Sequence, residues 1–150
     1  MAPYVAVVGP GEATPDEADA AEQVGSGLAS AGAVVVCGGL GGVMAAACRG
    51  ADAAGGLTIA ILPGSDRRAA NPWARVVIPT GMGEMRNALV VRAADAVIAV
   101  GGGYGTLSEV ALALKTGVPV VGINPWPIEG IVEVGSPADA VSAALALVSG

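Results

Sequence analysis

Short, near-continuous apolar runs recur along the chain, broken only by an occasional polar residue such as Arg75 or Glu133: Tyr4 to Val8, Ala33 to Cys37, Leu57 to Leu62, Arg75 to Ile78, Ala96 to Val100, Val118 to Ile123 and Ile131 to Val134. Runs of this length without polar alternation predict strands covered on both faces, as in a parallel sheet. Helical patterns fill the gaps between them. Thr14-Pro15-Asp16-Glu17 predicts a first helix, with Thr14 as cap, Pro15 in the first helical position and Glu17 reaching back to complete a capping box, and Gly32 stops it after Ala31. An alanine-rich helix follows Gly38-Gly39-Leu40-Gly41-Gly42 and ends near Gly55-Gly56, and a third runs from Gly81-Met82-Gly83 to about Ala94. Leu107, Val110, Ala111 and Leu114 make one buried stripe on a helix closed by Gly117, and Ser136-Pro137-Ala138-Asp139 opens the last helix. Pro63 to Ala74 and Asn124 to Gly130 read as loops.

Strand and helix alternate from end to end, which predicts a single α/β domain over residues 1–150. Its expected form is a Rossmann-like, doubly wound sheet of about seven mainly parallel strands, with helices on both faces. No linker long enough to separate domains interrupts the alternation.

Composition narrows the chemistry. The chain is 53% hydrophobic, with 24 glycines, no phenylalanine and 13% charged residues, which excludes a disordered chain. No charge falls between Glu22 and Arg49, yet glycines together with Gln23, Ser26 and Ser30 break that stretch, so no membrane-spanning helix is expected. Met1 to Pro10 lacks the basic start of a signal peptide, and Cys37 and Cys48 read as reduced, packed thiols, so a cytoplasmic location is expected. The formal charge of −6 argues against nucleic-acid and membrane partners, and an anion would have to be held locally.

In this fold ligands sit beyond the carboxyl ends of the strands, where Gly9 to Thr14, Gly38 to Gly42, Thr80 to Gly83 and Gly101 to Thr106 lie. Glycine admits an anion close to the backbone, and the helix that follows offers unpaired N–H groups. The candidate phosphate-binding residues are therefore Gly9, Gly11, Gly39, Gly41, Gly42, Gly101, Gly102, Gly103, Gly105 and Thr106. The dinucleotide fingerprint is not met, because Gly9-Pro10-Gly11-Glu12-Ala13-Thr14 ends in threonine. An ATPase phosphate loop is excluded, because Lys115, the only lysine, sits at the far end of a helix. No histidine is present and the cysteine spacing matches no zinc site, so a histidine-based triad is excluded and no metal site is expected.

Arg86, a cation close to a predicted helix start, is opposed by the helix dipole; it pairs with Glu84 or another acid, or it binds a ligand phosphate. Glu109 completes a second capping box, Thr106-Leu107-Ser108-Glu109, or accepts hydrogen bonds from ribose-type hydroxyls; helical spacing sets it away from the apolar stripe. Tyr104 stacks on a ligand ring or packs, and Arg67 and Arg68 read as solvated loop residues.

Arg86-Asn87, Ala94-Asp95-Ala96 and Gly102-Gly103-Tyr104-Gly105-Thr106-Leu107-Ser108-Glu109 together resemble the Lonely Guy superfamily, whose members often carry a lysine decarboxylase label. In its phosphoribohydrolase branch the signature is Pro-Gly-Gly-x-Gly-Thr-x-x-Glu with an upstream Arg-Lys. Here Gly101 stands for the proline and Asn87 for the lysine, while Arg86 and Glu109 are retained. Gly38 to Met44, Gly81-Met82-Gly83, Arg86-Asn87 and Gly101-Gly102-Gly103 are more similar to the short molybdenum-cofactor-carrier-like branch, known chiefly for binding.

The resemblance implies a binding or carrier protein for a phosphorylated nucleotide-like or molybdopterin-type ligand, with Asn87 beside Arg86 in the site, no required cofactor and the molybdenum cofactor as carried ligand. It also implies a homodimer or higher homo-oligomer. The alternative it implies is a hydrolase of the cytokinin-activating type, cleaving the N-glycosidic bond of a nucleoside 5′-monophosphate, in which Arg86 steers the phosphate and Glu109 is catalytic. Lysine decarboxylation is set aside, since Lys115 lies at the wrong helix end to carry a Schiff base.

Overall fold

Each of the seven apolar runs forms a strand in the computed structural model, which describes residues 1–149. They are β1 (Tyr4–Val8), β2 (Val34–Cys37), β3 (Thr58–Leu62), β4 (Val76–Pro79), β5 (Ala96–Val100), β6 (Val120–Ile123) and β7 (Val132–Val134). All neighbours pair parallel in one sheet of order β4-β3-β2-β1-β5-β6-β7. The chain winds outward from β1 in one direction and from β5 in the other, the doubly wound arrangement that the alternation predicts.

The helices are α1 (Pro15–Ser30), α2 (Val43–Ala53), α3 (Asn87–Arg92), α4 (Tyr104–Thr116) and α5 (Pro137–Ser149). Because successive strand residues point to opposite faces, each central strand supplies two cores. Val5, Val7, Val35, Ile98 and Val121 meet the buried sides of α1, α2 and α5. Ala6, Val8, Val36, Val97 and Val120 meet Val90 and Val91 of α3 and Val110 and Ala113 of α4.

Small residues let the first pair of helices touch backbone to backbone. A Cβ on Gly25 of α1 would strike the Ala47 carbonyl of α2, and one on Gly50 of α2 would strike the Glu22 carbonyl of α1. The capping box of α1 forms as the sequence predicts: Thr14 Oγ1 accepts from Glu17 N at 3.2 Å and Glu17 Oε1 accepts from Thr14 N at 2.9 Å.

Three local expectations are corrected. The helix expected from Gly81–Gly83 to Ala94 is a 3-10 turn, Gly83–Arg86, followed by the shorter α3. The exposed loop at 63–74 carries its own 3-10 turn, Arg67–Ala69, capped by Asp66, and is tied inward by Asn71, whose N–H donates to Gly39 O at 2.9 Å. The buried residues of α4 are Thr106, Glu109, Val110 and Ala113, whereas Ala111 is exposed, so the inward stripe includes Glu109. Cys37 and Cys48 are free and buried as expected, with their sulfurs 3.4 Å apart. The hydrogen bond to Cys48, together with burial, pushes the Cys37 thiol well above its ordinary pKa. No helix among the described residues is long and apolar enough to cross a membrane.

Candidate functional site

The winding direction reverses between β1 and β5, and at such a switch point the two following loops part and leave a crevice beyond the strand ends. Here the crevice is a cleft of about 300 Å³. One wall is the turn after β1, from Gly9 to Glu12, and the other is the first part of α4, from Gly103 to Thr106 with Glu109 one turn further. Met44, Arg86 and Asn87 complete the lining.

The start of α4 differs from that of α2, although both follow glycines. The N-cap of α4 is Gly103, at φ 101°, a conformation that a side chain would strain. With the cap there, Leu107 N is the first amide to bond back, to Gly103 O at 3.0 Å. The amides of Tyr104, Gly105 and Thr106 thus precede the helical ladder and border the cleft. At α2, by contrast, Val43 N donates to Pro10 O at 3.0 Å, so that terminus fastens the turn after β1. A Cβ on Gly42 would strike the same Pro10 carbonyl. The positive end of α4, equivalent to about half a charge, is the one that borders the cleft.

Arg86 is brought in by the end of the 3-10 turn and is only 9% exposed. Its Nη1 donates to Asn87 Oδ1, its Nη2 lies 3.4 Å from Gly38 O, and Asn87 Nδ2 donates in turn to Ser108 Oγ at 3.1 Å. The pairing of Arg86 with Glu84 weighed from sequence does not form. The ion pairs among the described residues are Arg49–Glu22, Arg68–Asp66 and Arg75–Asp52. Gly38 is what lets the guanidinium approach: a Cβ there would stand 2.6 Å from Nη2. Arg86 Nε and Thr106 Oγ1 are both buried and have no protein partner. Such groups cost about 1–3 kcal/mol each unless something else satisfies them.

Glu109 is 7% exposed and faces the same cleft. Burial pushes its carboxyl pKa up to about 7, with the charge of Arg86 opposing the rise. The second capping box expected from Thr106-Leu107-Ser108-Glu109 does not exist. The helix begins two residues before Thr106, which places Glu109 in the second turn, too far along to reach the cap.

Of the sequence candidates, Gly9, Gly11, Arg86, Asn87, Gly103, Tyr104, Gly105, Thr106 and Glu109 come together on the cleft. Gly39, Gly41, Gly42, Gly101 and Gly102 do not line it. Gly39 packs against Ala60 and Leu62, Gly101 faces the Glu17 carboxylate while its N–H donates to Ile123 O at 2.9 Å, and Gly102 lies against Trp126. Gly41 is exposed, near Gly11. Arg68 pairs with Asp66 in an exposed turn, as a solvated loop residue would. Sequence reasoning missed Pro10, Glu12 and Met44, which line the cleft, and Gly38, which seats the arginine. Gly38 stood inside a glycine run already singled out, but nothing local separated it from its neighbours. Met44 and Glu12 lie in segments that the motifs mark, Gly38 to Met44 and Gly9 to Thr14, but no residue-type signal separates them from their neighbours.

The model of the SLOG cluster4 family matches residues 2–145. A protein of Archaeoglobus fulgidus is 44% identical over 139 residues, 92% of this chain and 91% of that one. Among solved structures, the molybdenum cofactor binding protein of Rippkaea orientalis superposes with a TM-score of 0.94 at 37% identity, over 99% of this chain and 98% of that one. The molybdenum cofactor carrier protein of Chlamydomonas reinhardtii gives 0.92 at 31% identity over the whole of both chains.

Proposed function

The chain belongs to the SLOG cluster4 family, and from that premise we propose that it binds and carries a phosphorylated pterin-type ligand, the molybdenum cofactor, as a relative of the Lonely Guy proteins. The observation that carries the reading is the pair of buried, unpartnered polar groups, Arg86 Nε and Thr106 Oγ1, beside the open start of α4. A phosphate satisfies both kinds of donor at once. Its oxygens accept from the α4 amides and from the guanidinium, whose fork suits a tetrahedral oxyanion. Met44, the Gly9 to Gly11 turn and Tyr104 surround the space that remains for the rest of the ligand. The likeness to the two molybdenum cofactor proteins supports the choice of ligand.

These residues suit a carrier: Arg86 and the start of α4 neutralise and orient an anion, and burial, by raising the Glu109 carboxyl to about 7, lessens the opposing charge near neutral pH. The test is to incubate the purified chain with molybdenum cofactor released from a molybdoenzyme, separate free cofactor, and measure bound pterin and molybdenum. Intact cofactor retained near one per chain, with at least a tenfold loss in Arg86→Ala, is the expected outcome. No retention, or retention indifferent to Arg86→Ala, overturns the reading.

Glu109 favours a second reading, because a buried carboxyl titrating near 7 opposite an arginine is suited to proton transfer. In that case the cleft hydrolyses a nucleoside 5′-monophosphate, with Arg86 on the phosphate and Glu109 at the ribose. Free adenine released from AMP, and lost in Glu109→Gln, supports it; AMP recovered unchanged removes it.

A further inference from the structure

We infer that Tyr104, backed by Trp126, is the platform on which the planar ring of the ligand stacks, so that the cleft selects phosphates carrying a heteroaromatic ring over phosphates that carry none. This rests on the phosphate-binding reading above. The chain is poor in aromatics, with two tryptophans, two tyrosines and no phenylalanine, and two of those side chains meet at the cleft mouth. Their rings are stacked, with centroids 6.1 Å apart and planes inclined by 27°.

Packing does not account for the pair. Tyr104 is 84% exposed, so it gains little from burial, and it is the first residue of α4, where a smaller polar residue would serve the helix as well. Trp126, in contrast, is held in place. Its Nε1–H donates to Gly103 O at 2.9 Å, and a Cβ on Gly102 would stand 3.3 Å from Nε1. It sits between Pro125 and Pro127, just after Asn124 in the left-handed region at φ 47°. A fixed indole therefore supports one side of an exposed phenol ring, and Tyr104 itself lines the cleft.

Position ties this platform to the phosphate end. The amide of Tyr104 belongs to the open first turn of α4, so its backbone and its side chain address adjoining parts of one ligand. A ligand whose phosphate sits on the helix start and whose ring lies a short linker away satisfies both. A sugar phosphate without a ring satisfies only the first.

Calorimetry of the intact chain with GMP and with ribose 5-phosphate tests this. GMP is expected to bind about tenfold or more tightly than ribose 5-phosphate, a factor equivalent to about 1.4 kcal/mol and within the range of base–aromatic stacking. Tyr104→Ala should bring the affinity ratio between GMP and ribose 5-phosphate to about one, while Tyr104→Phe keeps the preference. Equal affinities in the unmodified chain, a preference that survives Tyr104→Ala, or an equal loss for both probes overturns the platform and leaves the phosphate site standing. Binding of neither probe overturns both.

Discussion

Glu109 shows how much a single residue's surroundings decide. On an exposed helix its carboxyl would titrate near 4.5, but burial on the inner face of α4 raises it to about 7. The folded chain therefore holds this proton more tightly than the unfolded chain, and the linked stability is fully present below about 4.5 and declines as pH rises through about 7. Glu109→Gln removes the ionisation, so urea unfolding should find it more stable than the parent at pH 8, by about 3 kcal/mol, and little changed at pH 4.5. The same carboxylate repels an anion in the cleft. Sulfate, which does not titrate in this range, should bind more tightly as pH falls from about 8 to about 6, and Glu109→Gln should flatten that dependence in calorimetry.

Among the elements, the α1–α2 pair and the start of α4 use glycine in opposite ways. Gly25 and Gly50 bring two helix backbones into contact, and a methyl group at either would meet a carbonyl oxygen that cannot move without its helix. Gly25→Ala or Gly50→Ala should cost about 1–3 kcal/mol or more and lower Tm by roughly 2–12 °C in a thermal melt. Gly64→Ala, with open space around it, should melt with the parent. At α4 the glycine keeps a helix end free instead of closing a contact. Gly103 sets where the helix begins, and with it which amides stay unbonded and which side chains turn inward.

For the whole molecule, the cleft joins parts of the chain that lie far apart in sequence: the turn after β1, the 3-10 turn carrying Arg86 and the start of α4. A ligand that bridges them binds the folded chain and not the unfolded one, so at a hundred times its Kd it adds about 2.7 kcal/mol. A thermal melt with saturating GMP should shift upward by roughly 5–10 °C, and Arg86→Ala should abolish most of the shift. An unchanged Tm in the unmodified chain would count against the cleft as the binding site.

What the sequence determined by itself was the architecture. Seven runs of β-branched and small apolar residues, with glycine or proline at their ends, leave parallel strands between helices as the consistent solution, and Thr14-Pro15-Asp16-Glu17 starts a helix by bonds that span only three residues. The glycine loops, Arg86 and Glu109 were legible as candidates for one site, and the fold brings Gly9, Gly11, Gly103, Gly105, Arg86 and Glu109 onto one cleft. The three-dimensional fold decided which glycines face the cleft and which face protein: Gly103 and Gly101 look alike in sequence, yet one opens a helix end and the other accommodates Glu17. It also overruled a local signal, since Thr106 to Glu109 reads as a capping box but the helix starts earlier, at Tyr104. The burial of Arg86 against Gly38 and the raised carboxyl of Glu109 arise from segments far apart in the chain. Caps and strands are encoded by neighbours, whereas burial and charge are properties of whatever the finished fold brings alongside.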